Sequence, residues 1–138
     1  MPRVDFYILA SADASQREQF SCRLAARAWR AGLTVHIRTA DAAMTERLDE
    51  ALWTFDEQSF IPHGRESCDG DNPIVIAPEA APGQMLINLG DDLPADWSDR
   101  ERLAEIISAD TAIRRAGRER YRDYQQAGAQ PQTHRIEH

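Results

Sequence analysis

Val4-Asp5-Phe6-Tyr7-Ile8-Leu9-Ala10 is nearly apolar throughout, and this run decides the fold. A strand with one wet face alternates apolar and polar residues, whereas a run with little alternation belongs to a central strand covered on both sides. Next comes Ser15-Gln16-Arg17-Glu18, a capping-box pattern, after which Phe20, Leu24, Ala25, Ala28 and Trp29 share one helical face. Gly32 falls where helices commonly end. Leu33, Val35 and Ile37 then alternate with Thr34, His36 and Arg38, which predicts a second strand with His36 on its polar side.

Working outward, Asp41 opens another helix with Met44, Leu48, Ala51 and Leu52 turned inward. Pro73-Ile74-Val75-Ile76-Ala77-Pro78 is a short apolar run between breakers and predicts a third strand. Met85 to Leu89 predicts a fourth, after the tight turn Ala80-Ala81-Pro82-Gly83. Asp99 to about Ile107 reads as helical, and Asp110 caps a last helix that ends near Gly128. Strand–helix–strand–helix–strand order implies a single α/β domain over residues 1–128, a sandwich on a mainly parallel sheet. Residues 129–138 read as a polar, flexible tail.

Sheets of this kind often bind a nucleotide at a switch point. Here the first strand runs into Ser11-Ala12-Asp13-Ala14-Ser15, without a glycine, and the seven glycines are scattered at 32, 64, 70, 83, 90, 117 and 128. A glycine-rich phosphate loop is therefore missing. Catalytic and metal readings fare no better. His36 and His63 stand alone, and His134 and His138 lie in the tail, so no helical histidine pair forms. Asp49 and Glu50 are adjacent and point to different helix faces, and Cys22 reads as packing. The expectation is a non-enzyme without metal or cofactor. Neither Cys22 nor Cys68 has metal-type spacing or a disulfide framework around it. No charged-then-apolar leader and no membrane-length apolar run is seen, so a cytoplasmic protein is expected.

Function must then be sought on surfaces. The formal charge is −7 and the chain has no lysine, yet residues 114–122 hold five arginines against one glutamate, net +4, leaving −11 elsewhere. At helical spacing Ile113, Ala116, Arg120 and Tyr124 form an inward stripe with Arg120 snorkelling at its edge. Arg114, Arg118, Tyr121 and Arg122 form a second face, three guanidiniums around one phenol. Guanidinium forks suit bidentate recognition of carboxylate or phosphate. The plain alternative is a solvated helix end whose cations offset the helix dipole. A second stretch, Arg47 to His63, carries Trp53, Phe55, Phe60 and Ile61, which form either a loop tucked onto the core or an exposed partner surface.

Leu48-Asp49-Glu50-Ala51-Leu52-Trp53 followed by Ser59-Phe60-Ile61-Pro62-His63, with Arg118-Glu119-Arg120-Tyr121-Arg122-Asp123-Tyr124 and Ala127-Gly128 near the end, resembles the chi subunit of bacterial DNA polymerase III. Phe6-Tyr7-Ile8-Leu9 and the helix end with Trp29 and Arg30 fit as well, while residues 64–99 carry little of the resemblance. It implies a Rossmann-like three-layer fold without nucleotide binding, and a non-catalytic replisome adaptor. Such an adaptor joins the psi subunit, and through it the clamp loader, to the C-terminal tail of single-stranded DNA-binding protein, which is acidic and ends in phenylalanine with a free carboxylate. By position, the resemblance implies that Arg114, Arg118, Tyr121 and Arg122 bind that tail. Arg114 and Arg122 match positions that are lysine in well-known members. It also implies that Trp53 and Phe60 meet psi, a surface for which a DNA-repair helicase competes in some members. Two other classes stay open: direct binding of single-stranded nucleic acid by the basic helix, against which the −11 elsewhere argues, and a small nucleotide hydrolase.

Overall fold

In the computed structural model, which describes residues 1–54, 63–64 and 73–136, every strand pairing is parallel. The elements are β1 (Arg3–Leu9), α1 (Ala14–Arg30), β2 (Val35–Arg38), α2 (Ala42–Thr54), β3 (His63–Gly64), β4 (Ile74–Ala77), β5 (Met85–Asn88), a 3-10 turn (Trp97–Asp99), β6 (Arg102–Ile107), α3 (Thr111–Gln126) and β7 (Gln132–Ile136). They form one seven-stranded sheet in the order β3-β4-β2-β5-β6-β1-β7. Leu9, Val35, Ile37, Met85, Ile87, Ala104 and Ile106 pack with α1 and α2 on one face. Val4, Phe6, Leu86, Leu103 and Ile107 pack with Trp97 and Tyr124 on the other. The result is the three-layer α/β sandwich expected from the sequence. Among the described residues, no helix is long and apolar enough to cross a membrane.

Local chemistry sets the helix ends. Asp13 rather than Ser15 caps α1, its carboxylate accepting the Ser15 amide at 2.8 Å and the Ser15 hydroxyl at 2.9 Å. Both bonds hold its pKa below the usual carboxylate value. Glu18, the other half of the expected capping box, instead grips Arg47 of α2 at 3.1 Å. Asp41 accepts from the Met44 amide at 2.8 Å and Asp110 from the Ile113 amide at 3.0 Å, so both act as N-caps. Gly32 and Gly128, with φ of 91° and 98°, close α1 and α3 with paired back-bonds from residues 32 and 33 and from residues 128 and 129.

Four expectations fail, each for a physical reason. The helix expected from Asp99 to Ile107 is the 3-10 turn followed by strand β6. Glu105 interrupts the apolar run and leaves Leu103, Ile106 and Ile107 at helix-like spacing. In the strand it has no exposed surface, because Arg120 (2.9 and 3.0 Å), Tyr124 (2.6 Å) and Asn88 (3.0 and 3.2 Å) donate to its carboxylate. Arg120 is therefore 3% exposed and forked onto a partner, where an edge position had been expected. The tail is no tail: Gln132–Ile136 is β7, parallel to β1, and looks polar because it is an edge strand. His36 is buried rather than solvated, with its Nε2 3.0 Å from the Ala77 carbonyl and its Nδ1 3.2 Å from the Arg100 guanidinium. Arg100 donates only, so Nδ1 accepts and Nε2 carries the proton that Ala77 receives.

Two stability predictions follow from these buried groups. Removing one partner of a buried ion pair leaves an uncompensated charge, costing about 3–5 kcal/mol. Arg120→Met is expected to lose about that much by urea unfolding, and Arg120→Met with Glu105→Gln much less than the sum of the single changes. Burial is the main force lowering the His36 pKa from 6.5 to about 4. A base with a depressed folded pKa contributes stability that is full above 6.5 and is lost as pH falls towards 4, about 3 kcal/mol in all. The stability difference between wild type and His36→Leu should narrow by about that amount across this window in a pH series of urea titrations.

Candidate functional site

Helix α3 presents its two faces differently. On the inner face Tyr124 and Arg120 are buried, and Ile113 and Ala116 half-buried. Gly117 lies so close to the sheet that a Cβ there would sit 2.8 Å from Ile107 Cδ1, which brings the helix down onto β6. On the outer face, Arg114, Arg118 and Tyr121 line a groove of about 270 Å³. Its floor is Phe6 and Ile8 of β1 with Ile107 of β6, and its far wall is Thr133 and Arg135 of β7.

Each lining group is held differently. The Tyr121 ring meets Phe6 edge-on, with centroids 5.0 Å apart and planes at 61°, and its hydroxyl donates to the Pro131 carbonyl at 3.4 Å. Arg114 is half-buried, donating to the carbonyls of Ser108 (3.3 Å) and Leu9 (3.5 Å) at the ends of β6 and β1. Arg118 is exposed and has no hydrogen-bond or ion-pair partner among the described residues. Arg122 is exposed too, but stands outside the groove lining. The arrangement is an apolar slot with guanidiniums at its rim. Cavities of about 150 Å³ hold a benzene ring, so this one admits a phenyl group together with a carboxylate.

Of the four residues grouped by helical spacing, Arg114, Arg118 and Tyr121 line the groove and Arg122 does not. Sequence reasoning missed Thr133 and Arg135, which the tail was expected to carry loosely. The signal was present: Thr133 and Arg135 alternate with His134 and Ile136 at strand period. The other predicted surface is less fully placed. Trp53 lies in the last turn of α2, and Phe60 lies outside the described residues.

Catalytic readings gain nothing from the geometry. The Cys22 thiol is buried, and burial pushes its pKa up to about 12, so it packs and stays protonated. Among the described residues no group of three or more His, Cys, Asp or Glu is placed to hold a metal ion. At the start of α1, where related sheets seat a phosphate, the Asp13 carboxylate occupies the amide.

Comparison with known proteins gives the chain a family. The family model described as DNA polymerase III chi subunit, HolC, matches residues 1–132. DNA polymerase III subunit chi of Pseudomonas aeruginosa is 40% identical over 139 residues, covering 99% of this chain and 98% of that protein. The subunit chi of Escherichia coli is 32% identical over 138 residues, covering 93% and 94%, and that of Haemophilus influenzae 29% over 137 residues, covering 95% of each. On the length of the family match and the identity to these relatives, this chain belongs to the chi subunit family of DNA polymerase III.

Proposed function

We propose that the chain is a non-catalytic replisome adaptor that links the polymerase III clamp loader, through the psi subunit, to the acidic C-terminal tail of single-stranded DNA-binding protein. The observation that carries this reading is the groove itself. Its floor of Phe6, Ile8 and Ile107 takes a terminal phenylalanine ring, while Arg114 and Arg118 at the rim take the free carboxylate. Arg114 is pre-positioned by two carbonyls, and Arg118 keeps its donors free for the ligand. Arg122, one turn along and outside the slot, acts at longer range on the acidic residues upstream of the phenylalanine.

The psi subunit meets the chain through Trp53, in the last turn of α2, and Phe60. A DNA-repair helicase is an alternative client there. Helices α2 and α3 pack on opposite faces of the sheet, so the two partners need not compete.

Fluorescence anisotropy of a labelled acidic peptide ending in Asp-Ile-Pro-Phe tests the groove. A charge-assisted hydrogen bond contributes about 1.5–3 kcal/mol, so Arg118→Ala should weaken the peptide about 10- to 100-fold, and Arg122→Ala by less. A peptide lacking the phenylalanine should not bind. Added salt should weaken the intact peptide, since ion pairs at the surface are screened. Trp53→Ala should lose psi in a pull-down and keep the peptide. Either substitution abolishing both interactions would sink the two-surface reading, and an oligonucleotide displacing the peptide from α3 would favour direct nucleic-acid binding by that helix.

A further inference from the structure

The side of β1 turned away from α3 carries a second cluster of cations and rings. Tyr7 stacks on His134 of β7, with centroids 5.0 Å apart and planes at 22°, and leans on Phe20 of α1 at 5.4 Å. All three rings are partly exposed, and the Arg23 guanidinium sits 5.8 Å over the Phe20 ring. Asp5, buried beside them, is shared by Arg3 (3.0 Å), Arg102 (3.7 Å) and His134 (2.8 Å). Burial and Asp5 push the Tyr7 pKa up, while Arg102, Arg3 and Arg27 act on the same phenol in the opposite direction. Arg3 and Arg102 thus converge on Asp5, two residues from the partly exposed Tyr7 on the same side of β1. Arg102 Nε is buried and has no hydrogen-bond partner among the described residues.

Helix α1 extends this surface. Arg23, Arg27 and Arg30 are exposed at i, i+4 and i+7, one stripe along the helix. Its one acid, Glu18, is buried against Arg47. The net charge of −7 hides a division of the chain: residues 41–101 hold fifteen acids against three arginines, net −12, and the remainder carries +5. The sheet collects that remainder at one end, since β6, β1 and β7 are neighbours there.

We propose that this face, formed by Arg3, Arg23, Arg27 and Arg102 around Tyr7, Phe20 and His134, binds single-stranded nucleic acid. The guanidiniums take phosphates and a base extends the Tyr7–His134 stack. An acidic peptide needs only the cations, whereas flat rings set among cations are what unpaired bases use. The site is separate from the α3 groove: Tyr7 and His134 point to one side of β1 and β7, and Phe6, Ile8, Thr133 and Arg135 to the other.

Anisotropy of a labelled oligothymidylate at low salt, run beside the acidic peptide, tests this. The wild-type protein is expected to bind the oligonucleotide. Arg23→Ala with Arg27→Ala should weaken it about tenfold or more, and lower the log–log salt slope by about 1.4, two phosphate contacts at about 0.7 each. Tyr7→Leu should weaken binding without changing that slope. Arg118→Ala should leave the oligonucleotide bound, and the Arg23/Arg27 double variant should keep the peptide, which also shows it folded. No binding of the oligonucleotide by wild type overturns the proposal. So does its loss on Arg118→Ala, and so does loss of the peptide from the double variant, which would make this face a peptide site.

Discussion

Glu105, a carboxylate with no exposed surface in the middle of β6, decides where α3 lies. Arg120 and Tyr124, one turn apart on α3, both reach it, and Asn88 of β5 completes its shell. Burying a charge is tolerated only when its lone pairs are satisfied, so the helix has few ways to sit on the sheet. Burial and Glu105 together push the Tyr124 hydroxyl far above its ordinary pKa, which keeps it a donor. Through Arg38, which donates to Asn88 at 2.9 Å, the same network crosses the central strand β5 to reach β2. An apolar contact would allow α3 to slide, whereas a forked guanidinium has a definite seat. That seat holds Arg114, Arg118 and Tyr121 over Phe6, Ile8 and Ile107.

The elements legible in the sequence were those whose own residues carry the whole signal. β1, β4 and β5 declare themselves by apolar runs, β2 by its alternation, and the helices by their 3.6-residue stripes and by Asp41 and Asp110 at their starts. What stayed hidden depended on residues far away along the chain. Glu105 is at home in a strand only because Arg120 and Tyr124 follow 15 and 19 positions later. β7 is a strand only because β1, about 127 positions earlier, offers it an edge (Asp5 against Gln132).

The same distinction governs the candidate groove. Three lining residues, Arg114, Arg118 and Tyr121, share one helix face and can be grouped by counting. The floor cannot, because Phe6 and Ile8 come from the other end of the chain, and Arg135 belongs to a strand that the composition disguises. Arg122 shows the converse: helical spacing groups it with the others, but the curvature of the helix surface turns it away from the slot. Spacing identifies a face, and only tertiary packing turns a face into a container.

β1 is the first strand of the chain, and it lies between two of the last, its residues facing partners from 102 to 107 on one side and from 132 to 136 on the other. Such non-local pairing carries a large loop-closure cost before any contact repays it. During synthesis β1 emerges early and must wait unpaired, an apolar ribbon with two open edges, until almost everything else has been made. Until then this half of the sheet leaves apolar surface open to chaperones or to aggregation on the ribosome. A chain cut before Gln132 would keep the arginines of α3 while lacking one wall of the slot they border.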